Sequence, residues 1–143
     1  MPNYHLSERS LARLKGVHPD LVAVVKKAIL VTDVDFTVLE GVRSQQRQRE
    51  LVVSGASKTM NSRHLTGHAV DLGAYVGGEV RWDWNLYLKI AEAMRAASFA
   101  YGIPIRWGGT WEILRGYSPI TAAMLSRSFP DGPHFELPKA VYP

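Results

Sequence analysis

His64-Leu65-Thr66-Gly67-His68-Ala69-Val70-Asp71-Leu72 reads as a loop that bends back into a strand, and the rest of the chain is arranged around it. Gly67 permits a sharp turn. From His68 to Tyr75 the residues alternate well enough for a strand, with Ala69, Val70 and Leu72 facing inward. Asp71 therefore interrupts an apolar strand, where a carboxylate is costly unless it is paired or bound to a metal. Across the bend, His64 can reach the same site. From spacing alone, an aspartate at the strand rim with a salt-bridge partner is an equally good reading.

A second segment, Asp131-Gly132-Pro133-His134, opens the last predicted strand, which runs to Leu137 and is ended by Pro138. Phe135 and Leu137 would face the core, so His134 and Glu136 share the other face. Gly132-Pro133 breaks the strand and lets Asp131 fold back toward that face. Together the two segments offer two imidazoles and one carboxylate that could hold a metal, and a three-ligand site with an open fourth position is what a catalytic zinc requires. Asp131 and Glu136 both stand as candidates for a general base, and Glu136 also as a ligand.

Outward from these segments, the pattern predicts a short helix after Ser7 and a second from Pro19 to about Val31, with Pro19 at a first helical position. A strand is expected over residues 35–40 and a helix from Ser44 to Val53. Residues 76–79 signal a hairpin turn. The longest helix starts at Asp83 or Asn85 and runs to about Tyr101, followed by a short strand at residues 105–107. A further helix is expected from Ser118 to about Arg127. Helices and strands mix without βαβ alternation, which predicts an α+β fold with helices packed on a small antiparallel sheet.

The 143 residues suit one domain with a single core. There is no cysteine, so disulfides and thiolate ligands are excluded and a metal must be held by His, Asp or Glu. No apolar run approaches the roughly 20 residues of a membrane span, so no membrane insertion is expected. The N-terminus has no apolar core of signal-peptide type, and the chain is expected to fold in a cytoplasm. The net charge of +4 favours anionic partners. The basic run from Arg43 to Arg49 reads as a solvated helix face rather than a nucleic-acid stripe, so no nucleic acid is expected as partner. Read on its own, Arg43 is a helix-start arginine exposed to water. His5, His18 and His68 read as non-ligands, and Trp82 and Trp84 as core or cleft wall; Trp107 and Trp111 are candidates to touch a substrate.

Ser62-x-His64-x-x-Gly67-x-Ala69-x-Asp71 together with Asp131-x-x-His134 resembles the paired motifs of zinc peptidases related to D-alanyl-D-alanine carboxypeptidases and dipeptidases. The likeness is greatest to the L-alanyl-D-glutamate peptidases among phage endolysins. Gly41-Val42-Arg43-Ser44-x-x-x-Gln48 is similar to their upstream motif, and Arg106-Trp107-Gly108-Gly109-x-Trp111 to a later one. The resemblance implies the fold of the hedgehog and D-Ala-D-Ala peptidases and a single catalytic domain over residues 1–143, with no separate wall-binding domain. It implies Zn2+ on His64, Asp71 and His134, with Asp131 as general base. Arg43 would stabilise the oxyanion or clamp a substrate carboxylate, and Gln48, Ser62 and Trp107 would line the substrate. The implied partner is the peptidoglycan stem peptide, cut between L-alanine and D-glutamate by a monomer. The enzyme would wait in the host bacterial cytoplasm and reach the wall after holin-type release. Thr110 departs from the pattern, since relatives often carry an acidic residue there, and residues 112–129 match no known motif. The alternatives are a D-alanyl-D-alanine carboxypeptidase or dipeptidase, and a non-catalytic wall-binding protein with structural zinc.

Overall fold

The computed structural model describes residues 4–115 and 119–143. Among these residues four α-helices form: α1 (Glu8–Arg13), α2 (Pro19–Val31), α3 (Gln45–Val53) and α4 (Trp84–Tyr101). Their starts follow from local chemistry. Ser7 and Ser44 each accept a backbone N–H in the first turn, from Ser10 at 3.1 Å and Arg47 at 3.0 Å. Pro19 opens α2, and Gly102 closes α4 in the left-handed conformation.

The described residues also form six strands: β1 (Phe36–Glu40), β2 (Ala69–Val76), β3 (Glu79–Arg81), β4 (Arg106–Trp107), β5 (Glu112–Ile113) and β6 (His134–Glu136). The sheet order is β1-β2-β6-β4-β5, with β3 also paired to β2. Every pairing is antiparallel. The expected α+β architecture is therefore the observed one.

One sheet face is covered by α2 and α4. Leu21, Val24 and Ala28 of α2 and Ile90, Met94 and Ala97 of α4 are fully buried against Val70 and Leu72 of β2 and Phe135 of β6. This packing is the principal apolar stabilisation. Ile90→Ala is expected to cost about 2–5 kcal/mol through lost burial and the cavity left behind, read as a shift in the denaturant midpoint. Period-two alternation then directs Asp71, His134 and Glu136 to the opposite face.

The helix expected near residues 118–127 does not form as such. Ser118 lies outside the described residues, and within 119–127 the only helical piece is a 3-10 turn, Ala122–Met124. Its three residues are exposed, so no apolar face is packed, and short helices without such packing are marginal. The Ser126 N–H instead donates to the Gly109 carbonyl at 2.8 Å, holding this segment against the β4–β5 connection.

The C-terminal residues are tied back to α2 by the Tyr142 hydroxyl, which donates to Asp20 Oδ2 at 2.6 Å. That bond, with burial and the Asp20 charge, pushes the phenol up to about 12. A raised pKa means that the neutral phenol contributes stability in full below its unfolded value of roughly 10 and loses it as pH rises through about 12. Tyr142→Phe is therefore expected to lower stability near neutrality by roughly 1 kcal/mol and to flatten the alkaline limb of a thermal-melt series.

Candidate metal centre

Strand register builds the centre. Asp71 on the central strand β2 pairs with Glu40 on β1 and with His134 on β6. One step along β6, Glu136 pairs with Arg106 on β4. A row of polar side chains thus crosses the sheet face opposite the helices. His64 arrives from a 3-10 turn, Arg63–Thr66, that leads into β2. Ser62 caps this turn by accepting the His64 N–H at 3.2 Å. Gly67 ends it with φ of 78° and packs against the Gly16 carbonyl, so both its backbone angle and its lack of a Cβ are needed.

His64, Asp71 and His134 each offer one ligand atom, all within 4.8 Å of one another. Asp71 Oδ1 lies 3.2 Å from His64 Nε2 and 3.3 Å from His134 Nδ1. Each imidazole is oriented by its other nitrogen. His64 Nδ1 is 2.8 Å from the Gly41 carbonyl, which can only accept, so this nitrogen carries the proton and Nε2 presents its lone pair to the centre. His134 Nε2 is 2.7 Å from Glu136 Oε1, which leaves Nδ1 facing the centre. Such carbonyl and carboxylate partners fix the tautomer of a metal-ligating histidine. The donor set, the convergence and the preset tautomers all fit a single divalent metal ion.

The electrostatics agree. Burial alone would raise the Asp71 pKa, but its bonds to His134 and His64 hold the carboxyl well below the usual range. Burial alone would lower His134, but Asp71 and Glu136 on either side raise it to about 9. Negative charge is thus concentrated at Asp71 and Glu136, on either side of His134. Glu136 is itself held low despite burial, by His134 and by Arg106, whose Nη1 is 3.4 Å from Oε2. This places Glu136 behind His134, as its orienting partner, and not at the reacting position. Glu136→Gln is expected to weaken metal affinity by about 10-fold or more, measured by competition with a chromogenic chelator.

Arg43 is turned inward, contrary to the exposed helix-start arginine that spacing suggested. Its side chain is 9% exposed. Nε and Nη2 donate to the two oxygens of Glu40, both at 2.8 Å, and Nη1 donates to Gln48 Oε1 at 2.8 Å and reaches Ser62 Oγ at 3.4 Å. Nη2 also lies 3.8 Å from Asp71 Oδ2. Gln48 is fully buried and donates to Ser57 and to the Thr59 carbonyl, so it holds Arg43 and the adjoining loop. Glu40 escaped the sequence reading. Its signal was the spacing Glu40-x-x-Arg43 at a strand end, and a register shift between Val38 and Glu40 is what brings it beside Asp71.

Trp107 is fully buried, stacks near Phe135 and donates Nε1–H to the Gly132 carbonyl at 2.7 Å, so it supports the turn that carries Asp131. Trp111 stands at the centre instead, with its ring 5.4 Å from that of His134. Its φ of 54° is strained for a bulky residue, and its Nε1–H is held by the Phe129 carbonyl at 2.9 Å. Arg106 lies over the indole at 5.0 Å.

Asp131 sits on the turn that leads into His134, near enough for its carboxyl to feel the charges of Asp71, His134, His64 and Arg43. Its N–H donates to the Gly108 carbonyl at 2.9 Å and its carbonyl accepts from His134 N–H at 3.2 Å. The residue is exposed at the surface. Its carboxyl is nonetheless raised in pKa, by burial first and by the Asp71 charge next, against His134, His64 and Arg43. Gly108 permits this approach, since a Cβ there would lie 3.0 Å from the Cβ atoms of both Asp131 and His134 and closer still to the Asp131 carbonyl. Gly108→Ala is expected to displace the turn at a cost of about 1–3 kcal/mol, seen as a lowered melting temperature together with lost activity.

Two imidazoles and one carboxylate converge near a further carboxylate, on an antiparallel sheet backed by helices, a donor set that could hold one metal ion and that single-metal hydrolases use. The phage L-alanyl-D-glutamate peptidase family matches residues 2–138. The chain is 30% identical to the L-alanyl-D-glutamate peptidase of Escherichia phage T5 over 135 residues, covering 92% of this chain and 93% of that protein. It is 31% identical to the L-alanyl-D-glutamate peptidase of Listeria phage A118 over 114 residues, or 78% of this chain but 39% of that longer protein. Its fold is similar to the crystal structure of the Serratia marcescens L-Ala D-Glu endopeptidase ChiX, with a TM-score of 0.82 and 44% identity over 98% of this chain and 95% of that one. The chain belongs to the phage L-alanyl-D-glutamate peptidase family.

Proposed function

We propose that this protein is a zinc-dependent endopeptidase that hydrolyses the L-alanyl-D-glutamate bond of peptidoglycan stem peptides. The observation that carries the reading is the convergence of His64, Asp71 and His134 within 4.8 Å, with both imidazoles preset by Gly41 and Glu136. Family membership names the bond, and favours it over the D-alanyl-D-alanine bond.

In this reading His64 Nε2, an Asp71 oxygen and His134 Nδ1 hold the metal. Zinc held by three protein ligands with an open position lowers the pKa of a bound water to roughly 7 and polarises the scissile carbonyl. Asp131 takes a proton from the attacking water and returns it to the leaving amine nitrogen of D-glutamate. Its raised pKa suits a carboxylate that must accept a proton. Arg43 has its donors engaged by Glu40, Gln48 and Ser62, so it acts mainly by fixing Asp71 and by placing a permanent positive charge near the developing oxyanion. Ser62 serves through the same network and through the cap that sets His64. A free carboxylate at Asp131 is superfluous in a structural zinc site, which supports turnover over a purely binding role.

The same reading treats residues 1–143 as one catalytic unit that works as a monomer on the wall. No described helix is long and apolar enough to cross a membrane. Access to the wall from a host cytoplasm would then depend on a separate release step. Chelated protein is expected to lose wall-lytic activity and to recover it with one equivalent of zinc. Lysis that persists unchanged after complete metal removal would refute the metal-dependent mechanism.

A further inference from the structure

Beside Asp131 the surface carries two tryptophans that the hydrolytic step does not use. Trp82 is 62% exposed and Trp84 39% exposed. With Tyr87, Pro130 and Asp131 they line an open cavity of about 300 Å³. The aromatic floor is rigid. The Trp82 ring lies parallel to that of Tyr87, with centroids 6.1 Å apart and planes 9° from each other. Tyr87 is itself fixed, donating to the Arg81 carbonyl at 2.6 Å and accepting the Ala74 N–H at 3.2 Å. Trp84 packs against Gly132, where a Cβ would lie 3.0 Å from its ring, so the patch is continuous with the turn that carries Asp131. The Arg81–Asp83 ion pair, 2.9 Å long and largely exposed, flanks it.

We propose that the Trp82–Trp84 surface binds the glycan strand of peptidoglycan, with the apolar face of an amino-sugar ring laid on the indole. This rests on the peptidoglycan reading above and adds a subsite to it. Large exposed aromatic patches mark binding surfaces, and rigid aromatic rings supply contact area at little cost in conformational entropy. A pyranose presents an apolar C–H face edged by hydroxyls, which matches an indole face edged by the Arg81–Asp83 pair. Reach agrees as well. In peptidoglycan the L-alanine is amide-linked to the lactyl group of muramic acid, so about two residue lengths, roughly 7 Å, separate the scissile carbonyl from the sugar. The aromatic cavity has Asp131 in its lining, so it adjoins the proposed reacting position. A protein partner seated here would instead cover the reacting position.

The test is a titration of isotope-labelled, zinc-loaded protein with glycan strands stripped of their peptides. The indole N–H signals of Trp82 and Trp84 are expected to move, while that of the buried Trp107 stays in place. In parallel, Trp82→Ala is expected to lower kcat/KM on whole peptidoglycan by about 10-fold, the loss falling on KM, with Trp82→Tyr recovering most of it. Signals of Trp82 and Trp84 that do not respond at millimolar glycan would overturn the proposal, and so would a Trp82→Ala enzyme with wild-type KM. If Trp82→Ala fails to fold, the titration of the wild-type protein decides alone. Failure here with D-glutamyl termini still released would remove only the glycan subsite; absence of those termini would remove the peptidoglycan reading itself.

Discussion

Asp71→Asn is expected to abolish both metal retention and peptidase activity, with kcat/KM falling by at least about 10³-fold, the equivalent of several kcal/mol of transition-state stabilisation. The change is nearly isosteric, so the effect comes from charge. Asp71 is the one residue shared by both histidines, through Oδ1 at 3.2 Å from His64 and 3.3 Å from His134. It also faces Arg43 at 3.8 Å. An amide there removes the negative ligand and leaves Glu40 as the carboxylate hydrogen-bonded to the Arg43 guanidinium. Elemental analysis after dialysis should find well under one metal per chain. The sheet itself should survive, because Val70 and Leu72, which flank Asp71, stay packed against the helices. Full metal occupancy in this variant would exclude Asp71 as a ligand.

Asp131→Asn is expected to separate binding from chemistry. The three proposed ligands are untouched, so metal content should stay at one per chain. Loss of the proton acceptor should lower kcat by about 10²–10⁴-fold, the range that a positioned acid–base group contributes. Because the groups act as a unit, the double variant Asp71→Asn/Asp131→Asn should be little worse than Asp71→Asn alone. A wild-type rate for Asp131→Asn would shift the base assignment elsewhere. Glu136 is not the ready substitute, since its two oxygens are engaged by His134 at 2.7 Å and by Arg106 at 3.4 Å.

The different success of sequence reasoning across the chain has physical causes. Helix α2 was legible to its ends because Pro19 marks its first residue and a continuous apolar stripe runs through Ile29. The grouping of His64, Asp71 and His134 was legible from the paired motifs, since a carboxylate in an apolar strand needs a partner and the two-residue strand period turns His134 to the face opposite Phe135. The 3-10 turn at Ala122–Met124 was read as a longer helix because local propensity does not reveal whether a face will be packed. The inward turn of Arg43 and its pairing with Glu40 were not legible from spacing, because they depend on an irregular register between β1 and β2, which no local pattern encodes. Trp107 and Trp111 flank the same glycines, yet one is core and the other faces His134. The left-handed backbone at Trp111 sends its ring to the centre, and a strained angle of that kind is visible only in the folded chain.

The most direct test of the central claim is to digest purified peptidoglycan with protein carrying one zinc per chain and to identify every new terminus by mass spectrometry. The account predicts new D-glutamyl amino termini, no released D-alanine, and loss of both product and zinc on chelation. Release of D-alanine, or D-glutamyl termini formed at an undiminished rate by metal-free protein, would contradict it.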